Sequence, residues 1–256
     1  MSFDRQLRAA RRWPVDHPAW AYDRKLAGRA LAASLGLRVP ELLSGPGDLD
    51  TLRPPTRPAA LKPDAGSGGH GVLLLRPDQE GWRLPDGVVL DWVGVLDRAR
   101  QAQQRRAAAR LHDRIAGPWM VEESATADGS PPVSYRVWTF RGGVELVTAG
   151  CNPNVAGGDK RVHAWDPRDG WAPVRPWLPN AKVVDPSLPP PRHGGEMVDA
   201  AGKVLAAVGV PFLRVDFYDG PFGPLFGEIT PVPTWARTRH TPYWDQRMGA
   251  AWTSPA

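Results

Sequence analysis

The chain has 256 residues, of which 42% are hydrophobic, so it can bury one sizeable core or two smaller ones. Its formal net charge is +5 and arginine far outnumbers lysine, but no nucleic-acid-binding motif accompanies that charge, which favours an acidic small-molecule partner over nucleic acid. A single cysteine excludes an intrachain disulfide and a multi-cysteine zinc site, and no stretch has the roughly 20 apolar residues of a membrane span. We therefore expect a cytoplasmic protein with no signal peptide and no membrane partner.

The first part of the chain predicts helices followed by two strands around a glycine-rich turn. Residues 1–45 have the apolar spacing of helices, and Gly36 stands where a helix would end. The short apolar runs 59–62 and 72–75 then flank the turn 64–71. This pattern predicts a strand, a glycine loop and a second strand.

The remaining chain alternates helices with hairpins. Two segments have the apolar spacing of helices, 92–115 and 196–208, and Gly209 ends the second. The stretch 152–192 has no readable pattern, and a proline-interrupted tail ends the chain. Strand alternation predicts a short strand and two hairpins, formed by residues 118–121, by 133–140 with 144–148, and by 212–218 with 225–230.

The glycine-rich segment begins with Lys62 and has the elements of a phosphate-binding turn. Glycines allow backbone N–H groups to approach phosphate oxygens, and Lys62 supplies a positive charge; the turn residues are Gly66, Ser67, Gly68 and Gly69. Because the lysine precedes the glycines and no helix follows them, the segment is neither a Walker A nor a Rossmann motif. A hairpin flap over a triphosphate remains, and a glycine-rich turn without a ligand is an equal alternative.

A second segment, from Trp119 to Glu123, reads as an apolar strand that ends in two acids. Backbone groups at Val121 could contact an adenine ring, and the carboxylates of Glu122 and Glu123 could accept hydrogen bonds from ribose hydroxyls. An edge strand followed by solvated glutamates explains the same pattern.

The third segment is the hairpin that carries Arg214, Asp216, Glu228 and Thr230. Alternation places Arg214 and Asp216 on one face of the first strand. It places Glu228 and Thr230 on one face of the second strand, so that Asp216 and Glu228 can converge away from the core. Carboxylates on facing strands suit Mg²⁺, which prefers oxygen ligands and shares them with nucleotide phosphates. A hairpin with one solvated face is the alternative.

In this order, the three segments resemble the ATP-grasp enzymes, and further segments resemble the TupA-like ATP-grasp proteins within that superfamily. The resemblance covers roughly residues 20–252. Its motifs are Lys62 with the glycine-rich turn, Glu122-Glu123, Arg214-x-Asp216 and Glu228-x-Thr230, with subgroup features in Ser134-Tyr135-Arg136, Phe226 to Thr230, and Tyr243-Trp244-Asp245 with Gly249.

The resemblance implies an α+β ATP-grasp fold in which two α+β lobes sandwich ATP and Mg²⁺. The implied divisions are a short helical N-terminal lobe at 1–55, a central lobe with the glycine flap at 56–124, and a C-terminal lobe with the metal site at 125–256. The implied site consists of catalytic Lys62, Arg136 and Arg214, of nucleotide-binding Lys62, Gly66, Ser67, Gly68, Gly69, Val121, Glu122 and Glu123, and of metal-binding Asp216, Glu228 and Thr230.

The reaction implied by the resemblance transfers the γ-phosphoryl group of ATP to a carboxylate, and an amine then attacks the acyl phosphate to form an amide. Such an enzyme is an ATP-dependent ligase, acting on small-molecule or peptide carboxylates and amines in a biosynthetic pathway. A kinase that phosphorylates a hydroxyl would use the same nucleotide residues, and a non-catalytic binding protein is a third alternative. The sequence indicates neither the substrates nor the oligomeric state nor the number of Mg²⁺ ions, and it gives no role to His70, Lys25 or the 152–192 stretch.

Overall fold

A computed structural model shows two antiparallel six-stranded sheets with helices packed against them. It describes residues 1–66, 68–107, 115–151, 161–174, 177–179 and 184–253. The helices are α1 (Phe3–Ala10), α2 (Pro18–Ala21), α3 (Lys25–Ser34), α4 (Trp92–Arg106), α5 (Gly194–Val208) and α6 (Pro242–Thr253), with short 3-10 helices at Leu49–Thr51 and Pro233–Ala236. The strands are β1 (Leu42–Gly47), β2 (Ala59–Ala65), β3 (Leu73–Asp78), β4 (Gly81–Arg83), β5 (Val89–Leu90), β6 (Ala116–Glu123), β7 (Ser134–Phe140), β8 (Gly143–Gly150), β9 (Val162–Asp166), β10 (Ala172–Pro173), β11 (Phe212–Gly220) and β12 (Gly223–Thr230).

The first sheet has the strand order β1-β6-β2-β3-β4-β5, and α4 packs on one of its faces. The helix begins at Asp91, whose carboxylate accepts a hydrogen bond from the Gly94 amide at 2.8 Å. Val95 and Ala99 of the helix are fully buried in the same apolar cluster as Leu61 of β2. One face of β2 is therefore buried in this core, and the alternate residues of the strand, on its other face, are available for other contacts.

The second sheet has the strand order β10-β9-β8-β7-β11-β12. Helix α5 covers one of its faces with residues at helical spacing, and this cluster includes Met197, Val204 and Val208 together with Val215 of β11. Strand β12 forms one edge of the sheet, and α3 packs against it. A Cβ atom at Gly28 of α3 would lie 3.6 Å from the Phe226 ring, an ordinary contact, and 3.1 Å from the Tyr22 carbonyl oxygen, which is tight.

The described residues form two compact units. One unit contains residues 1–39, 133–150 and 161–253, and the other contains residues 40–132 and Cys151. The N-terminal residues belong to the first unit because α1 packs against α6 and α3 packs against β12. This grouping differs from the three successive lobes drawn from the resemblance, which stay a prediction.

Several predicted element ends are confirmed. Gly36 and Gly209 follow α3 and α5 with φ of 74° at both positions, the left-handed conformation that glycine adopts without strain. Strand β2 runs three residues beyond its predicted end, because its pairing with β6 continues to Ala65 opposite Ala116. Helix α4 is described to Arg106, and the rest of its predicted span, 108–114, lies outside the described residues.

The predicted proline-interrupted tail was wrong for residues 242–253, which form helix α6. Pro242 is the first residue of this helix, a position where proline costs no hydrogen bond. Trp244 and Met248 of the helix enter a core shared with Phe3 of α1. A Cβ atom at Gly249 would lie 1.8 Å from the Met1 carbonyl oxygen, so the N-terminus packs directly on this helix. No helix among the described residues is long and apolar enough to cross a membrane.

Candidate functional site

Lys62 and Glu122 form a buried ion pair on the face of the first sheet that points away from its core. In the register of β2 and β6, Lys62 lies opposite Met120 and Glu122 lies opposite Ala60, so the two charged residues are diagonal neighbours on one face. Their Nζ and Oε2 atoms are in contact, and their side chains are only 14% and 4% exposed. The register thus places the predicted phosphate-binding lysine against one of the two predicted nucleotide-binding acids.

The residues beside Glu122 make structural contacts of their own. Val121 is fully buried, and its side chain belongs to the core on the opposite face of the sheet, so only its backbone is available to a ligand. Glu123 accepts a hydrogen bond from the Glu41 amide at 3.0 Å, and its Oε2 lies 3.8 Å from the Arg57 guanidinium. Glu123 therefore fixes the start of β1, a role that competes with nucleotide binding.

The glycine-rich turn has a backbone that only glycine adopts readily. Gly66, Gly68, Gly69 and Gly71 have φ of 143°, 62°, 73° and 80°. A Cβ atom at Gly71 would also lie 2.8 Å from Ile115 Cδ1, so this glycine is needed for packing as well as for conformation. Ser67, predicted to bind nucleotide, lies outside the described residues.

His70, which the sequence left without a role, lies in the same turn. Its Nε2 is in contact with the Arg106 guanidinium at the end of α4. Because Arg106 stays protonated, Nε2 is the acceptor in this contact, which gives His70 a role in holding the turn against the helix.

The predicted site residues of the second sheet lie on the face opposite α5. Asp216 on β11 is directly opposite Arg136 of β7 on one side and Glu228 of β12 on the other. Arg214 is opposite Thr230 on β12. All five residues therefore share one face over three adjacent strands, and the structure brings together Asp216 and Glu228 as the alternation predicted.

Arg214 is the centre of the contacts in this group. Its Nε donates to Asp216 Oδ1 at 2.6 Å and its Nη2 donates to Asp216 Oδ2 at 2.8 Å, a bidentate pair. The same Nη2 donates to Thr230 Oγ1 at 3.0 Å and lies 3.4 Å from Glu228 Oε1. Arg136 is looser, with its Nε 3.9 Å from Asp216 Oδ2. Arg136 thus keeps donors that this pair does not use.

Burial and neighbouring charges shift the pKa values of Asp216, Arg136 and Arg214. Burial raises the pKa of Asp216 and the Glu228 charge adds to the increase, while Arg214 and Arg136 act against it. Burial and the neighbouring Arg214 lower the pKa of Arg136. For Arg214, burial alone would lower the pKa, but Asp216 outweighs it and the net direction is upward. The bidentate geometry fits a carboxylate that is ionised against a charged guanidinium.

Asp23 is a member of this group that the sequence did not indicate. It precedes α3, the helix that packs against β12, and among the described residues no side chain donates a hydrogen bond to its carboxylate. Burial raises the pKa of Asp23 to about 6 and the Glu228 charge adds to the increase, whereas Lys25 and Arg214 oppose it. Because Asp23 also keeps solvent-exposed surface, water screens part of this effect. No spacing rule links a loop residue near the N-terminus to a strand near the C-terminus.

The oxygen atoms of this group fit Mg²⁺. Asp216, Glu228 and Thr230 offer two carboxylates and a hydroxyl on one face, and the Glu228 side chain is 36% exposed and lies 3.4 Å from Arg214. No group of three or more His, Cys, Asp or Glu residues in the described part of the chain is arranged to hold a metal ion. A cation held here would take its remaining ligands from phosphate and water, which is the usual coordination of Mg²⁺.

The sequence-predicted residues thus form two groups, one in each unit. Lys62, Glu122 and the glycines lie in the unit of residues 40–132, whereas Arg136, Arg214, Asp216, Glu228 and Thr230 lie in the other.

No protein-family model matches the sequence, and no curated protein matches it either. Among solved structures, the chain is similar to D-alanine–D-alanine ligase from Helicobacter pylori, with a TM-score of 0.51 at 13% identity over 93% of this chain and 62% of that one. The D-Ala:D-Ser ligase VanG from Enterococcus faecalis gives a TM-score of 0.47 at 17% identity, over 92% of this chain and 60% of that one. The ATP-grasp ligase PsnB, in complex with a precursor variant, Mg and ADP, gives a TM-score of 0.44 at 15% identity, over 92% of this chain and 60% of that one.

The chain therefore spans about 60% of the length of these three solved structures. At 13% identity, the similarity to the Helicobacter pylori ligase concerns the fold. The two antiparallel sheets with their packed helices have the α+β architecture of the ATP-grasp ligases.

Proposed function

We propose that the chain is an ATP-dependent carboxylate–amine ligase that acts through an acyl phosphate. The observation that carries this proposal is the group on the face of β11 and β12 opposite α5, where Arg214 holds Asp216 beside Glu228 and Thr230. This group occurs in a chain with the ATP-grasp fold. The Helicobacter pylori protein with this fold is a D-alanine–D-alanine ligase, and a ligase of two amino acids joins a carboxylate to an amine.

In the proposed reaction, a carboxylate oxygen of the first substrate attacks the γ-phosphorus of ATP, and the bond from that phosphorus to the ADP oxygen breaks. The amine nitrogen of the second substrate then attacks the acyl carbon. The carbon–oxygen bond breaks, inorganic phosphate leaves, and the amine loses a proton to give the amide. Positioning and charge neutralisation supply most of the catalysis in such a phosphoryl transfer.

Lys62 supplies positive charge for the phosphate groups. Its side chain is 14% exposed and its ammonium is paired with Glu122, so the charge is already oriented, and little reorganisation is needed when a phosphate replaces that partner. The backbone N–H groups of Gly66, Ser67, Gly68 and Gly69 are the expected phosphate donors, since positive-φ glycines allow close approach. Glu122, Glu123 and the backbone of Val121 are the expected contacts of the adenosine.

Asp216, Glu228 and Thr230 are the residues that would hold Mg²⁺. Bound there, Mg²⁺ would offset the negative charge of the triphosphate. Arg214 holds Asp216 in place and directs Nη2 toward Thr230. Arg136 has donors left over from its 3.9 Å contact with Asp216, and these are suited to a phosphoryl or carboxylate oxygen of the substrate.

The finer parts of the proposal concern the subgroup and the substrates. We place the chain nearest the TupA-like ATP-grasp proteins on its sequence motifs, and we expect a cytoplasmic biosynthetic reaction. Small-molecule or peptide carboxylates and amines are the expected substrates. The kinase alternative uses the same nucleotide contacts, so the nature of the acceptor must be measured.

The test is ADP release from Mg-ATP with a panel of carboxylates, each measured with and without a panel of amines. Hydroxylamine in place of the amine should trap an acyl phosphate as a hydroxamate, and mass spectrometry should find the amide with the natural amine. Asp199→Asn, an exposed carboxylate on α5, is the control for Asp216→Asn. ADP release without any amine, together with a stable phosphate ester, would replace the ligase proposal with the kinase.

A further inference from the structure

Helix α1 has one buried face and one face made of arginine. Phe3 and Leu7 are at most 2% exposed and enter the core shared with α6. Arg5, Arg8 and Arg12 are exposed, and their spacing of i, i+3 and i+7 aligns them along one stripe of the helix and its C-terminal turn. The stripe extends over roughly 10 Å, at 1.5 Å per residue.

The arginine stripe forms no salt bridge among the described residues, although Arg8 contributes, after the contacts with His240, to the lowered pKa of the buried Asp4. No carboxylate there lies within salt-bridge distance of the Arg5, Arg8 or Arg12 guanidinium groups. The two nearby acids are directed elsewhere: Asp4 is buried and its Oδ1 lies 2.7 Å from His240 Nδ1, and Asp245 accepts from the Asp4 amide at 2.7 Å. The surface of α1 therefore carries concentrated positive charge, because Asp4 and Asp245 make their contacts elsewhere. In α4, by contrast, Arg98 and Arg100 are paired with aspartates.

Half-buried aromatic side chains lie at the C-terminal end of the stripe. Trp13 stacks on His17 with ring centroids 4.0 Å apart and an interplanar angle of 12°, and Trp20 meets Trp13 edge-on at 6.1 Å. Arginine and tryptophan are the residue types most enriched at the energetic centres of protein–protein interfaces. The aromatic rim gives the charged stripe an adjacent apolar contact area.

We propose that the arginine stripe of α1, with its rim of Trp13 and Trp20, is a docking surface for an acidic polypeptide segment. Charge complementarity requires an anionic partner, because carboxylates and phosphates both pair bidentately with arginine, and the adjacent tryptophan rim favours a polypeptide. Trp13 has one ring face covered by His17, so it offers no open platform on both sides for nucleic-acid bases. The apolar face of α1 is buried in the core, so the helix cannot insert into a lipid surface.

The test is fluorescence anisotropy with a labelled glutamate-rich peptide of about 12 residues, long enough to span the stripe. A glutamine-rich peptide of equal length, a single-stranded oligonucleotide and phosphatidylserine vesicles are the comparison probes. The variant Arg5→Gln/Arg8→Gln/Arg12→Gln should weaken peptide binding by about tenfold, since three exposed ion pairs contribute a factor of about two to three each. Arg53→Gln/Arg76→Gln/Arg105→Gln, which removes the same charge from exposed arginines elsewhere, should change binding less than about twofold.

Equal losses in the two triple variants would mean that net charge alone attracts the peptide, and would overturn the proposal. Tighter binding of the oligonucleotide or the vesicles than of the peptide would overturn it as well, as would absence of peptide binding by the unmodified chain. Arg5→Lys/Arg8→Lys/Arg12→Lys keeps the charge and should retain most of the affinity. If the triple glutamine variant fails to fold, the single variants Arg5→Gln, Arg8→Gln and Arg12→Gln should each weaken peptide binding by a factor of about two to three, and unchanged binding in all three would overturn the proposal.

Discussion

Asp216→Asn should destabilise the fold substantially, in contrast to most changes at a polar site. The Asp216 side chain is 8% exposed, and both of its oxygens accept from Arg214, at 2.6 and 2.8 Å. An asparagine keeps the shape but loses the charge and one acceptor, which leaves Arg214 and Arg136 partly buried without their closest anion. Removing one partner of a buried ion pair costs about 3–5 kcal/mol. For a chain of this length that corresponds to a melting temperature lower by at least about 6 °C.

Glu228→Gln should be much milder, although the sequence pattern treats the two carboxylates alike. The Glu228 side chain is 36% exposed and its only contact with Arg214 is at 3.4 Å, so its loss should cost no more than about 1 kcal/mol. It also removes a negative charge next to Asp23 and Asp216. The melting temperature should therefore change by no more than about 2–4 °C.

Thermal melts of both variants, with Asp199→Asn as the exposed control, measure this difference directly. The same proteins are then assayed for Mg-ATP-dependent ADP release. Both variants should lose turnover, and the double variant should be little worse than the poorer single variant, because the two carboxylates serve one site. Melting of Asp216→Asn at the wild-type temperature would refute the buried bidentate pair, and multiplicative losses of turnover would assign the two carboxylates to separate sites.

Three further outcomes are expected. Lys62→Met should lose turnover and lower the melting temperature, because it leaves the Glu122 carboxylate buried without its partner. Lys62→Met/Glu122→Leu should restore the melting temperature but not the turnover. Recovery of ADP release in the double variant would show that the lysine has no role with phosphate. Asp23→Asn should stabilise the protein more at about pH 7.5 than at about pH 4.5, because ionisation of a native carboxyl with a raised pKa of about 6 costs stability as the pH rises, and equal shifts at both pH values would contradict this. Gly150→Ala should lower the melting temperature because its Cβ would lie 2.8 Å from the Arg161 carbonyl oxygen and 3.2 Å from Arg136 Nη1, while Gly202→Ala, which meets nothing within 4 Å, should keep it; equal melting temperatures would contradict this close packing.

The parts of the fold that sequence predicts well are those with a strict period. Strand alternation puts every second residue on one face, so it predicted that Asp216 and Glu228 could converge, and the register pairs them directly. Helix ends at Gly36 and Gly209 were equally predictable, because glycine adopts the left-handed conformation at low cost. Both rules act over a few residues and need no knowledge of the rest of the chain.

Features that depend on distant pairing were not predictable in this way. The contact of Lys62 with Glu122 depends on the register between β2 and β6, and the described residues between those strands form three other strands and a helix. Asp23 joins Glu228 only because α3 packs on the edge strand β12. Helix α6 was missed because prolines around it indicated a broken tail, whereas burial of Trp244 and Met248 against α1 stabilises it.

The two charged groups share one construction, which bears on how they would act. In each sheet, a strand buries one set of alternate residues in a core and carries a cationic side chain on the other face. A carboxylate pairs with that cation: Glu122 on the neighbouring strand pairs with Lys62, and Asp216 on the same strand pairs with Arg214. The desolvation cost of these cations is met when the chain folds, so in the proposed function a phosphate group would meet donors that are already oriented. The carboxylate partners also compete with that phosphate, which limits ground-state binding. Such an arrangement favours the state with the greatest negative charge on the phosphoryl oxygens, and this is the requirement for accelerating the transfer step instead of merely retaining the nucleotide.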